Sequence, residues 1–168
     1  MITRRHVSGG VESLAVYSKD EAHRFVLTRR WAPGPGLLFI MLNPSKATEL
    51  ANDPTVERCE QRARRWGWPA FSAANVFAFR ATLPADLKRA RDPVGAGNDA
   101  VLAGLARQAG RVICAWGVHG AHLGRGPAVA ALLRGEGIGL WHLGLTRDGQ
   151  PRHPLYLPYD RQPETWAA

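Results

Sequence analysis

The chain has 168 residues, 45% of them hydrophobic, which is enough to bury one core and too few for two. Its formal net charge of +8 comes from 22 basic against 14 acidic residues, and Lys19, Lys46 and Lys88 are the only lysines, so the charge is carried by arginine. Two cysteines, Cys59 and Cys114, exclude a disulfide scaffold and a four-cysteine zinc site, and no apolar run reaches the length of a membrane span.

The expectation is a single domain over residues 1–168 in a reducing cytoplasm. The opening MITRRHVSGG has charge but no apolar segment behind it, so no signal peptide, no membrane and no obligate protein partner are expected. The positive balance suits a polyanion such as DNA, another nucleic acid or a nucleotide, because it raises encounter rate and phosphate affinity. A composition rich in Arg, Ala and Gly also follows from genomic base composition.

In chain order, residues 12–17 (ESLAVY) and 24–31 (RFVLTRRW) read as two strands around a polar turn, an antiparallel hairpin over about 12–31. APGPG at 32–36 then punctuates the chain, and an α/β core is expected over about 37–160. Apolar runs at 37–42, 70–79, 111–116 and 138–143 read as strands. Helical stretches separate them, from Asp53 as cap and Pro54 to Gly67, from Asn98 to Ala109 and from Pro127 to Arg134. Alternation of this kind predicts crossover units and a central, mostly parallel, four-stranded sheet.

Ligands of open parallel sheets bind outside the carboxyl ends of the strands, which directs attention to four polar or glycine-rich segments. In MLNPSKA, Asn43 has two open readings, an Asx-type turn or a side chain that orients a water; Ser45 has no local partner that marks it as a nucleophile. Asp53 is either a helix cap or a carboxylate near the cleft. Asn75 is a carboxamide in an apolar run, satisfied either by backbone or by the edge of a nucleobase, and Phe77 and Phe79 alternate with it as core residues or stacking platforms. His153, between Arg152 and Pro154, could stabilise negative charge developing on an oxygen. His119 and His122 lack a third ligand and no H-E-x-x-H occurs, so no metal is expected. Lys46, Arg58, Arg62, Arg80, Arg125, Arg152 and Tyr156 are the candidates for contact with phosphate or a nucleic-acid backbone, although the helix arginines read first as a solvated face.

Taken together, MLNPSKA, DPTVERCEQRARRWGW, NVFAFRAT, DPVGAGND, ICAWG and GLTRDGQPRHPLYLP resemble the bacterial and phage family called domain of unknown function sixteen-forty-three, over roughly residues 12–160. More distantly, MLNPS is similar to the early G-x-N-P-G-type motif of the uracil-DNA glycosylase superfamily, and RHPLYL to its late H-P-S-P-type motif. That resemblance implies a three-layer α/β/α sandwich. It also implies that Asn43 positions water, Asn75 reads the base with Phe77 beside it, and His153 stabilises the departing base. Leu155 and Tyr156 stand where the superfamily has Ser-Pro, and Tyr156 or Leu157 could act as a wedge beside an extruded nucleotide.

The expected function is therefore that of an N-glycosidic-bond hydrolase, DNA glycosylase-like, acting without metal or organic cofactor on a base in nucleic acid or a nucleotide. The alternatives are a non-catalytic nucleic-acid or nucleotide-binding module and an enzyme that processes free modified nucleotides.

Overall fold

The computed structural model describes residues 1–167. Its first turn is local chemistry: Gly9 and Gly10 take φ of 56° and 77°, values that suit a two-residue hairpin loop, and they join β1 (Ile2–Ser8) to β2 (Val11–Tyr17). β2 turns Ser13, Ala15 and Tyr17 inward at strand spacing and pairs antiparallel with β3 (Arg24–Arg30).

The remaining strands are β4 (Leu37–Met41), β5 (Ala70–Asn75), β6 (Arg111–Cys114), β7 (Leu140–His142) and β8 (Glu164–Thr165). They correct the expected sheet. All eight strands form one mixed sheet in the order β1-β2-β3-β5-β4-β6-β7-β8, in place of a central four-stranded, mostly parallel, glycosylase-like sheet. Antiparallel pairs outnumber parallel ones: β1/β2, β2/β3, β3/β5 and β7/β8 against β4/β5, β4/β6 and β6/β7. Pairing of Leu27 with Ala73 through Arg30 with Ala70 fuses the hairpin into the sheet. The extra edge strand β1 escapes sequence reading because its residues are mostly exposed, which leaves no hydrophobic alternation to see.

Buried apolar side chains cover both faces of the sheet. Phe39, Met41, Phe71 and Ile113 pack against Val56, Cys59 and Ala63 of α1 (Pro54–Arg65). Leu38, Ile40, Val112 and Cys114 pack against Leu87 of α2 (Pro84–Arg89), Leu102 and Ala106 of α3 (Asn98–Gln108), and Val129 and Leu133 of α4 (Arg125–Gly135). Each fully buried Leu, Ile or Phe contributes roughly 1.5–3 kcal/mol of transfer free energy. No helix among the described residues is long and apolar enough to cross a membrane.

Candidate functional site

Strands β4, β6 and β7 run parallel, as does β5 beside β4, so the loops that leave their carboxyl ends gather at one edge. They enclose a cleft of about 500 Å³, within the range of small-molecule sites. The loop after β4 contributes Asn43, Ser45, Lys46 and Asp53; the loop after β5 contributes Ala81 and Thr82. The segment after β6 contributes Trp116, Gly117 and His119, and the segment after β7 contributes His153, Leu155 and Tyr156.

Asn43 is fixed by its amide nitrogen, which donates to the carbonyl of Pro44 at 3.0 Å and of Ala81 at 2.8 Å. Ala81 N–H donates back to Pro44 O at 3.0 Å, so two loops are clipped together. Both amide protons of Asn43 are then used, and its Oδ1 is left as an acceptor. Asp53 performs both of the tasks the sequence left open. Its Oδ1 accepts the N–H of Val56 at 2.9 Å as the cap of α1, its Oδ2 accepts the N–H of Ala47 at 3.3 Å, and the carboxylate still lines the cleft.

His153 begins a short 3₁₀ turn over Pro154–Tyr156, and its Nδ1 accepts the N–H of Leu155 at 3.3 Å. A ring that accepts on Nδ1 carries its neutral-state proton on Nε2. Burial pushes the imidazole down to about 4, against the opposing attraction of Asp53, so the ring is a neutral Nε2–H donor near pH 7. Gly117 explains how the β6 end reaches it. Its N–H donates to Pro151 O at 2.7 Å, its φ is 71°, and a Cβ there would meet His153 Cβ at 3.6 Å. Trp116 is buried behind this turn, donates from Nε1 to Gln150 at 2.8 Å, and fills the space that side chains at Gly120 and Gly126 would take.

The arginines are mostly spent on the fold. Arg62 is fully buried and donates to the carbonyls of Pro154, Leu157 and Pro158, and Arg58 donates to Leu157 O. The guanidinium of Arg58 also lies 4.0 Å and that of Arg65 4.1 Å from the centre of the Tyr159 ring. These contacts tie α1 to the chain that bears His153. Arg80 reaches Glu21 O, Arg125 reaches Val76 O and Asp99, and Arg152 reaches Leu145 O.

Of the residues singled out in the sequence, Asn43, Ser45, Lys46, Asp53, His119, His153, Leu155 and Tyr156 meet in the cleft. Arg58, Arg62, Arg80, Arg125 and Arg152 are not among the residues lining it. Asn75 is buried at the end of β5 and Phe77 is buried in the core with its ring 5.6 Å from that of His122. Neither lines the cleft, because the chain leaves the strand at Asn75 and the alternation that suggested a shared face stops there. His119 lines the cleft while His122 packs on Phe77, so the H-x-x-H pair is split, and no group of three or more metal-ligating side chains occurs among the described residues. The sequence pointed to the segments that carry Trp116, Gly117 and Thr82, through ICAWG, the glycines that follow it and NVFAFRAT, but assigned none of the three side chains a role in the site.

The chain belongs to the family described as protein of unknown function (DUF1643), which matches residues 24–155 and so spans the cleft segments from Asn43 to Leu155. Neither a curated protein nor a solved structure matches the chain.

Proposed function

We propose that this member of the family hydrolyses an N-glycosidic bond, releasing a base from a nucleotide or nucleic acid. The observation that carries the proposal is the convergence, in one cleft, of an Nε2–H donor on His153, a carboxylate on Asp53 and a free amide oxygen on Asn43.

Cleavage of such a bond builds positive charge on the sugar carbon and negative charge on the departing base. The electron pair of the C1′–N bond leaves with the base, where His153 Nε2–H donates to the atom that gains charge. Asp53 stabilises the cationic sugar, and Asn43 Oδ1 accepts one hydrogen of a water and aims its oxygen at C1′. The water oxygen forms the new C1′–O bond, one of its protons passes through Asp53 to solvent, and the base takes up a proton. The sum is one water consumed, one hydroxyl on the sugar and one N–H on the base. A neutral imidazole can do this work because its Nε2–H donates a hydrogen bond to the developing charge without the buried ring first having to take up a proton.

The likeness of MLNPS and RHPLYL to the glycosylase superfamily's motifs supports the same chemistry. Base release from nucleosides, nucleotides and oligonucleotides, separated by chromatography, tests the proposal. Release that falls by about 10²–10³ in His153→Ala supports it, and binding without release by the wild-type protein moves the assignment to a non-catalytic module.

A further inference from the structure

We infer that the cleft takes a free nucleoside monophosphate, with Lys46 on the phosphate and Tyr156 over the base, rather than a nucleotide held within a polymer. The inference rests on the nucleotide reading of this cleft and narrows its substrate class.

The argument starts from where the positive charge goes. A protein that follows a polynucleotide lays a track of Lys and Arg along the backbone, and each phosphate it neutralises adds to the salt dependence of binding. Here the chain carries a net charge of +8, yet no arginine is among the described residues lining the cleft, and Lys46 is the one ammonium. The arginines nearest in sequence are turned elsewhere. Arg58 and Arg62, on the helix that Asp53 caps, hold the carbonyls of Pro154, Leu157 and Pro158. Arg152, adjacent to His153, donates to Leu145 O, and its stem lies against Gly144. One exposed ammonium with no protein partner among the described residues fits one phosphate.

The rim points the same way. Tyr156 is 88% exposed and Val118 51% exposed, and both line the cleft with Leu155 and Pro84. An aromatic ring at the mouth offers a face to a base, which stacks without regard to its identity. Hydroxyls line the cleft as well: Ser45 and Thr82 approach to 3.4 Å across the loops after β4 and β5, at a solvent-exposed position open to sugar or phosphate oxygens.

Isothermal titration with the common ribo- and deoxyribonucleoside 5′-monophosphates, the matching nucleosides, and single-stranded oligonucleotides of increasing length tests the inference. The expected result is at least one monophosphate that binds tenfold or more tightly than its nucleoside. Lys46→Gln should abolish that gain and leave nucleoside affinity unchanged, whereas Tyr156→Ala should weaken nucleoside and monophosphate by the same factor. Equal affinity for nucleoside and monophosphate overturns the inference, as does affinity that rises with oligonucleotide length. Base release scored in the same mixtures keeps the two proposals apart. Release from oligonucleotides alone overturns this inference and keeps the hydrolase; selective monophosphate binding with no release from any compound supports the inference and removes the hydrolase.

Discussion

Nδ1 of His153 accepts the backbone N–H of Leu155 at 3.3 Å, which commits Nε2 to be the donor of the ring. A proton added to Nδ1 would face that N–H donor to donor. Protonation therefore opposes the turn that carries the imidazole as well as being disfavoured by burial.

The sign of the resulting pH dependence follows. The folded value of about 4 lies below the ordinary histidine value of about 6.5, so between these limits the unfolded chain holds more protons. This contribution to stability is complete above pH ~6.5 and is lost as pH falls toward ~4. Urea denaturation at several pH values across that window should show wild type losing stability relative to His153→Gln as the solution is acidified. Parallel curves for the two proteins would place His153 in contact with solvent.

Asp53 offers a separation of structure from chemistry, because asparagine caps a helix about as well as aspartate does. Asp53→Asn keeps the cap on the Val56 N–H but turns an amide donor toward the N–H of Ala47, so it should cost up to about 1 kcal/mol and lose base release, while Asp53→Ala loses both contacts and should cost about 1–2 kcal/mol as well. Thermal denaturation and a release assay on both variants check this. Full activity in Asp53→Asn would reduce Asp53 to a cap.

Arg62 connects α1 to the site. It donates to Pro154 O and Leu157 O from a fully buried position; Arg62→Met removes those bonds, with Arg58 still on Leu157 O and the Leu157 N–H still on Pro154 O, and should cost roughly 1–3 kcal/mol in urea denaturation. Arg62→Lys should rescue little, since an ammonium cannot reproduce the fork that spans several carbonyls. In either variant the His153 ring resonances should shift, because the chain from Pro154 to Pro158 is what Arg62 holds.

Gly120 lies against the indole of Trp116: a Cβ there would fall 1.9 Å from the ring. Gly120→Ala should destabilise the protein by about 1–3 kcal/mol through overpacking and disturb the turn that brings Gly117 to His153. Trp116→Phe in the same background should cost less than the two changes summed, a coupling that a double-mutant cycle reads directly.

What could be read from the sequence was what local chemistry decides. α1 announces itself through Asp53, Pro54 and Gly67, and the structure caps, starts and stops the helix at those residues. The loop ends at Asn43 and His153 were found because turn residues follow apolar strands. Pairing between distant segments was not legible: nothing in RFVLTRRW says that β3 lies beside β5, and the two exposed residues of β8 carry no pattern. Arg62 shows the same limit in a side chain. On its helix it reads as part of a solvated basic face, but one of its partners, Pro154 O, comes 92 residues later. Asn75 and Phe77 lie outside the cleft lining for the opposite reason, since strand alternation was extended past the residue where the strand ends.

The most direct measurement of the central claim is single-turnover base release by wild type, Asp53→Asn, His153→Gln and the double variant, on whichever nucleotide or oligonucleotide binds. If the two side chains act on one bond in one cleft, each single change lowers the rate by about 10² or more and the double is little slower than the worse single, because groups that act as a unit are not additive. Release that persists unchanged in either single variant, or a wild-type protein that binds and releases nothing, would contradict the account.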